Sequence, residues 1–280
     1  GFSARALFGL LGSDDVTLKV SPNGSAFFDA FVIDRSSGRA EFPAPIVIPG
    51  LSAVPASPPA GKLALYGRQR AGAPWLEVVR PSGRDFPLQP HMGLNRIGAW
   101  APVSATTIAA QGIALTSVGT ISHPALAAGS LLSSSRRWRV TSAAVVDSVC
   151  DQRSAVTACW RGNAAGLGGF TLVARISLTT LQATGMGFFG LLSSVAALAV
   201  TTTISALVEA IGIGFQRGTH TNWQLVSNDA AGAPTLVDLG AGFPVVTGGL
   251  ITLTIWCPAA GSSIWLRAVN ELTGAVFEQE

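Results

Sequence analysis

The feature of this sequence best suited to hold a ligand is an aromatic ring set among short amide and carboxylate side chains. It occurs at Trp223, within Thr219-His220-Thr221-Asn222-Trp223-Gln224 and just upstream of Ser227-Asn228-Asp229. A sugar ring presents C–H groups on one face and hydroxyls at its edge, so a flat indole ringed by hydrogen-bonding groups suits a glycan. Trp223, Asn222, Asn228 and Asp229 are therefore the candidate glycan-binding residues. The same stretch also reads as a strand whose Trp223 packs inward while Asn228 and Asp229 turn the chain ahead of Gly232.

Other constellations are thinner. Arg136-Arg137-Trp138-Arg139 interleaves base and aromatic, which could stack on and neutralise a nucleic acid or pair with a lipopolysaccharide phosphate. The remaining charges are scattered rather than gathered in a stripe, so an edge strand or subunit contact is the favoured reading and no nucleic acid is expected. Gly166-Leu167-Gly168-Gly169 and Gly212-Ile213-Gly214 open no helix after a strand, so they read as turns and tight strand packing, and no cofactor is expected. His91, His123 and His220 are far apart and lack ligand spacing, so no metal is expected. An enzyme would most plausibly be a glycan depolymerase with two carboxylates across a sugar bond. With 15 acidic residues in all, Asp14-Asp15 reads as a turn, Asp147 and Asp151 flank Cys150 without a signature, and Glu209, Asp229 and Asp238 show no motif. No G-x-S-x-G elbow is present, and the expectation is a non-catalytic protein.

The elements that must position these residues follow from composition. Of 280 residues, 48% are hydrophobic and 12% charged, about half the roughly 25% charge of an ordinary soluble domain. With 32 Gly and 16 Pro, the chain suits many short strands joined by turns and excludes both a disordered tail and an all-helical bundle. The net charge of +3 comes from 16 arginines and only two lysines, Lys19 and Lys62. Arginine is less hydrated and stacks on flat groups, so it persists at partly buried interfaces, although GC-rich codon use gives the same bias. Cys150, Cys159 and Cys257 are an odd set with no C-x-x-C pair, read as buried free thiols. The chain opens on Gly1-Phe2 with no signal peptide visible, and is expected to be a piece of a longer polypeptide. No charge occurs between Arg175 and Glu209, but β-branched Thr and interrupting Gly make this stretch a buried strand, loop or helix, and no membrane insertion is expected.

Along the chain, strands are expected at 7–10, 16–20, 26–28, 31–33 and 39–42, with Asn23-Gly24 forming a type I′ hairpin turn between residues 20 and 28. So small a module buries little apolar surface alone and should borrow a core from neighbouring chains. Residues 43–61, with six prolines, form a stiff connector, and 62–66 and 75–79 form a hairpin around Ala71-Gly72. Beyond residue 100, strands are expected at 106–108, 113–118, 138–143, 170–178, 211–215, 223–226, 235–239, 250–257 and 263–269; 191–207 could instead be helical. Strands at this spacing suggest a β-sandwich or jelly roll.

Three segments resemble tail-fibre-type structural proteins of tailed bacteriophages and prophages. They are GFSARALFGLLGSDDVTLKVSPNGSAFFDAFVIDRSSGRAEFP at the start, LYGRQRAGAPWLEVVRPSGRDFPLQPHMGLNRIGAWAP in the middle, and GIGFQRGTHTNWQLVSNDAAGAPTLVDLGAGFPV near the end. The resemblance implies an all-β homotrimeric fibre on the virion surface, assembled in the host cytoplasm and attaching the particle to a bacterial surface glycan or lipopolysaccharide. On that reading residues 1–45 are the N-terminal fibre module, 46–99 a proline-rich connector with its hairpin, and 100–280 a C-terminal sandwich domain. The alternative is a purely structural collar, baseplate or spacer element that binds another virion protein.

Overall fold

Brief runs of β-branched and apolar residues, broken by Gly, Asn, Ser and Pro, sustain short strands and little else. The computed structural model describes residues 5–10, 14–88, 109–110, 113–155, 157, 159–164, 167–229 and 232–280. Among these residues, every regular element except one 3-10 turn, Ile204–Ala206, is a β-strand. The chain is all-β and divides into two compact units, Gly1–Pro49 and Gly50–Glu280.

The first unit is one antiparallel meander of β1 (Ala6–Leu10), β2 (Val16–Val20), β3 (Phe28–Ile33) and β4 (Ala40–Glu41), in that order. Val20 pairs with Phe28, closing the expected hairpin. Its loop is longer than a type I′ turn. Only Gly24 takes a positive φ (+80°), and Asn23 works through its side chain, its Oδ1 accepting the backbone N–H groups of Ser25 and Ala26. The strands expected at 26–28 and 31–33 merge into β3 because a bulge inserts Ala30 where the partner steps from Leu18 to Lys19.

The second unit begins with a sheet of β5 (Gly50–Leu51), β6 (Ala64–Arg70), β7 (Ala73–Val79) and β8 (Asp85–Pro87). Positive φ at both Ala71 and Gly72 lets two residues join β6 to β7, as expected for a primed turn. Then come β9 (Ala109–Ala110), β10 (Ile113–Val118), β11 (Thr120–Ser122), β12 (Arg139–Thr141) and β13 (Asp151–Ser154), paired as β13-β10-β9 and β11-β12. The expected strand at 106–108, His91 and the expected boundary at 99 lie outside the described residues.

The rest forms two four-stranded sheets. β14 (Phe170–Ser177), β15 (Met186–Leu192), β16 (Ala210–Gln216), β17 (Gln224–Asn228), β18 (Thr235–Asp238), β19 (Leu250–Cys257), β20 (Trp265–Asn270) and β21 (Val276–Gln279) order as β14-β19-β20-β21 and β15-β16-β17-β18. Alternate residues Ile251, Leu253, Ile255 and Cys257 of β19 meet Ile213 and Phe215 of β16 and Leu225 of β17 in one core, giving a sandwich-like pair of sheets. All six residues of β20 are buried. Its inner face carries Leu266 and Ala268; its outer face is covered by the β5–β8 sheet, where Trp75 stacks on Trp256 at 4.7 Å and meets Trp265 edge-on at 5.0 Å. The hairpin is thus a third layer of the second unit. The stretch considered for a membrane begins as β15, continues irregularly to Thr203 and enters the 3-10 turn; among the described residues no helix is long and apolar enough to cross a membrane.

Candidate functional site

In the first unit, register decides which side chains share a face. Phe8 pairs with Leu18 and Leu18 with Phe31; Leu10 pairs with Val16 and Val16 with Ile33; Ala6 pairs with Val20 and Val20 with Phe28. Directly opposed residues point the same way, so one face is a continuous apolar field three rows deep. The opposite face carries Leu7, Val32, a buried Thr17 and the cross-strand ion pair of Lys19 with Asp29 at 3.0 Å. The bulge makes the division possible. Phe28 and Phe31 are three residues apart and would face opposite ways in a regular strand, and the extra Ala30 returns both to the apolar side. Among the described residues of this unit no second layer covers that face: Phe8 is 72% exposed, Phe28 61% and Leu10 64%. Apolar surface of this extent is more than a lone sheet ordinarily leaves exposed to water.

The residues predicted to bind a glycan are not brought to one surface. Trp223 is 3% exposed, wedged between Phe215 (ring centroids 4.9 Å apart) and Phe189 (5.9 Å). Its backbone N–H donates to Phe243 and its carbonyl accepts from Leu239. The indole therefore packs inward, the other reading open for this strand. One wall of a cavity of about 130 Å³ includes it, together with Ile176, Leu178, Pro244, Val246 and Leu272. Asn270, a polar residue at that cavity, already donates to the Gly242 carbonyl and accepts from Leu272 and Thr273. Ser177, also at that cavity, has a buried hydroxyl without a hydrogen-bond partner. Asn222 donates to Asp238 at 3.3 Å, and Asn228, at the far end of β17, donates to the carbonyls of Leu207 and Gly232. Asp229 is exposed.

Of the basic-aromatic run, Arg137 donates to three carbonyls, those of Leu132, Ser133 and Ser135, and so fastens its own turn. Arg136 and Arg139 are exposed, and Arg139 lies on β12, which pairs with β11 alone. His220 Nδ1 accepts the Gln216 N–H and closes the β16–β17 turn. The three thiols differ from the buried set expected: Cys257 is buried, Cys159 half-buried and Cys150 exposed. Burial pushes the Cys159 and Cys257 thiols above the ordinary cysteine range, so these two are held as thiols.

Sequence reasoning missed the most concentrated set of charged groups. Between the β5–β8 sheet and the outer face of β20 and β21 lie Tyr66, Arg68 and Arg70 of β6, Glu77 of β7, Asp85 of β8, Arg267 of β20 and Glu278 of β21. Arg267 Nη2 lies 2.8 Å from Asp85 Oδ1, and Arg70 Nη2 lies 2.9 Å from Glu278 Oε1. Arg68 reaches the same Glu278 at 3.5 Å, Arg70 reaches Glu77 at 3.5 Å, and the Arg70 guanidinium sits 4.4 Å above the Trp265 ring. Glu77 is 0% exposed and Arg70 3%. The only hint in the sequence is the abundance of arginine over lysine; here arginine lies at a buried interface inside one chain.

Ionisation in this cluster is displaced by burial. Burial, with Asp85 adding to it, pushes Glu77 up to about 7 against the pull of Tyr66 and Arg70. Burial also presses on Asp85, but the charge and hydrogen bond of Arg267 outweigh it and hold that carboxyl below its usual range. Burial lowers Arg70 against the pull of Glu278 and Glu77. Tyr66 is raised by burial and by the two carboxylates on its hydroxyl. Enclosed between two sheets, the cluster is arranged to fasten one to the other. No protein-family model, curated protein or solved structure matches this chain.

Proposed function

We propose that this chain is a homotrimeric fibre-type protein of a phage virion that attaches the particle, without catalysis, to a glycan or lipopolysaccharide of a bacterial surface. The observation that carries this reading is the apolar face of the first unit's sheet, set by register and a bulge, with Phe8, Leu10 and Phe28 exposed and no second layer among the described residues of that unit. Such a face is stable in water only when covered, and further copies of the same chain supply an identical apolar partner. The number three comes from the resemblance to tail-fibre-type proteins. A trimer repeats any weak receptor contact three times, which supports attachment through avidity without a deep pocket.

Light scattering of the full chain tests the assembly. A mass near three times 28.7 kDa is expected; twice that mass would keep self-association and remove the trimer, and a monomer would remove both. Adsorption of the trimer to bacterial cells then tests attachment. The second reading is a collar, baseplate or spacer element, favoured by the inward packing of Trp223 and the internal hydrogen bonds of Asn222 and Asn228. A trimer that adsorbs to no host cell and binds another virion protein would establish it.

A further inference from the structure

In the buried cluster between the β5–β8 sheet and the sandwich, the Tyr66 hydroxyl has one hydrogen too few for its two carboxyl contacts when both acids are ionised. The Tyr66 hydroxyl lies 2.7 Å from Glu77 Oε2 and 3.1 Å from Asp85 Oδ2. A phenol has one hydrogen to donate, and an ionised carboxylate can only accept. With both acids ionised, one of these contacts sets lone pair against lone pair in a dry interior. The second oxygen of Glu77, Oε1, accepts no hydrogen bond and meets the Arg70 guanidinium at 3.5 Å. A proton on Glu77 removes the conflict, since the carboxyl then donates to Tyr66, Tyr66 donates to Asp85, and Asp85 keeps its bond from Arg267.

The groups facing Glu77 pull in two directions. Tyr66, Arg68 and Arg70 of β6, Asp85 of β8, Arg267 of β20 and Glu278 of β21 surround it, and Glu280 accepts the Ala71 N–H at the end of the same hairpin. Three guanidiniums meet three carboxyls, so charge balance favours an ionised Glu77, whereas full burial and the missing hydrogen favour a protonated one. These opposing terms leave it poised near neutrality, at about 7.

We propose that Glu77 is a proton-operated latch: protonated, it fastens the β5–β8 sheet onto the outer face of β20 and β21, and loss of that proton as pH rises loosens the hold. The direction follows from linkage. In the open state Glu77 is hydrated and has its ordinary value of 4.5, so the closed state binds the proton more tightly. The tightening is fully present below that value and is lost as pH rises to about 7, above which the opening equilibrium levels off. Over that window the opening constant changes on the order of a hundredfold.

Hydrogen exchange of the Ala64–Val79 amides in the full chain, corrected for intrinsic rates and followed from pH 4.5 to 8.5, reads the latch directly. The opening constant is expected to rise steeply up to about pH 7 and then flatten, and to be flat throughout in Glu77→Gln, which keeps the shape and cannot titrate. A flat profile in the natural chain, or the same slope in Glu77→Gln, would overturn the latch. Should Glu77→Gln fail to fold, the carboxyl ¹³C titration of Glu77 in the natural chain decides: a midpoint near 7 supports the proposal and an ordinary value near 4.5 ends it.

Discussion

Removing the Trp223 side chain separates the two roles open to it. An inward indole packed on Phe215 and Phe189 contributes to the core, and Trp223→Ala is expected to cost about 3–5 kcal/mol, read as a lower urea midpoint. A stacking platform for sugar would leave the midpoint almost unchanged and weaken only binding. Its inward direction was legible in principle. Strand neighbours alternate sides, so Asn222 and Gln224 beside a tryptophan place the ring opposite to them. Arg267 carries a second prediction. It neutralises Asp85 at 2.8 Å, and Arg267→Ala leaves a buried carboxylate without its main counter-charge, at a cost of about 3–5 kcal/mol. Adding Asp85→Asn is expected to recover much of that loss in the same urea titration. The signs with pH also differ. Asp85 has a lowered value, so its contribution is present above 3.8 and is lost as pH falls through the depressed value. Glu77 has a raised one, and its contribution is lost as pH rises. The second unit is therefore held most firmly in mildly acidic solution. None of this cluster was legible, because its members come from β6, β7, β8, β20 and β21, and only the folded sheets bring residues near 70 and near 270 together.

Elements were readable where local chemistry alone shapes them. The Ala71-Gly72 turn, β2, β10 and β19 follow from turn residues and β-branched runs. Elements set by distant neighbours were hidden. Strand β15 contains Gly187 and Gly190, which weaken its pattern, yet those glycines are needed: a Cβ at Gly187 would strike the Phe215 ring, and one at Gly190 would strike the backbone at Ile211 and Gly212. Phe28 and Phe31 break a period of two, which hides the continuity of β3, and the bulge at Ala30 reconciles them. That bulge is itself testable. Deleting Ala30 places Phe28 two residues before Phe31 and removes the unpaired residue, so a regular strand keeps Phe28 opposite Val20 on the apolar face. Sedimentation is expected to show self-association unchanged, whereas a weaker association would mean that the bulge itself contributes to the contact between copies.

At the scale of the whole molecule, the low charge and high apolar content have two separate causes. In the second unit three β layers bury both faces of β20, so even its arginine lies inside. In the first unit a lone sheet leaves an apolar face exposed in the single chain. In the proposed reading, assembly and attachment are linked through the second of these, and Phe8→Asp tests that link. Phe8 is on the edge strand and 72% exposed, so a charge there is tolerated by the isolated sheet but not by an apolar interface between copies. The variant is expected to scatter light as a monomer of 28.7 kDa while near-ultraviolet circular dichroism from the Trp75, Trp256 and Trp265 cluster stays unchanged. If attachment depends on three weak contacts acting together, adsorption to cells falls roughly 10²–10⁴-fold with the oligomer. A monomeric variant that adsorbs as well as the natural chain would place all the affinity in one copy, and the apolar sheet would then serve only to build the particle.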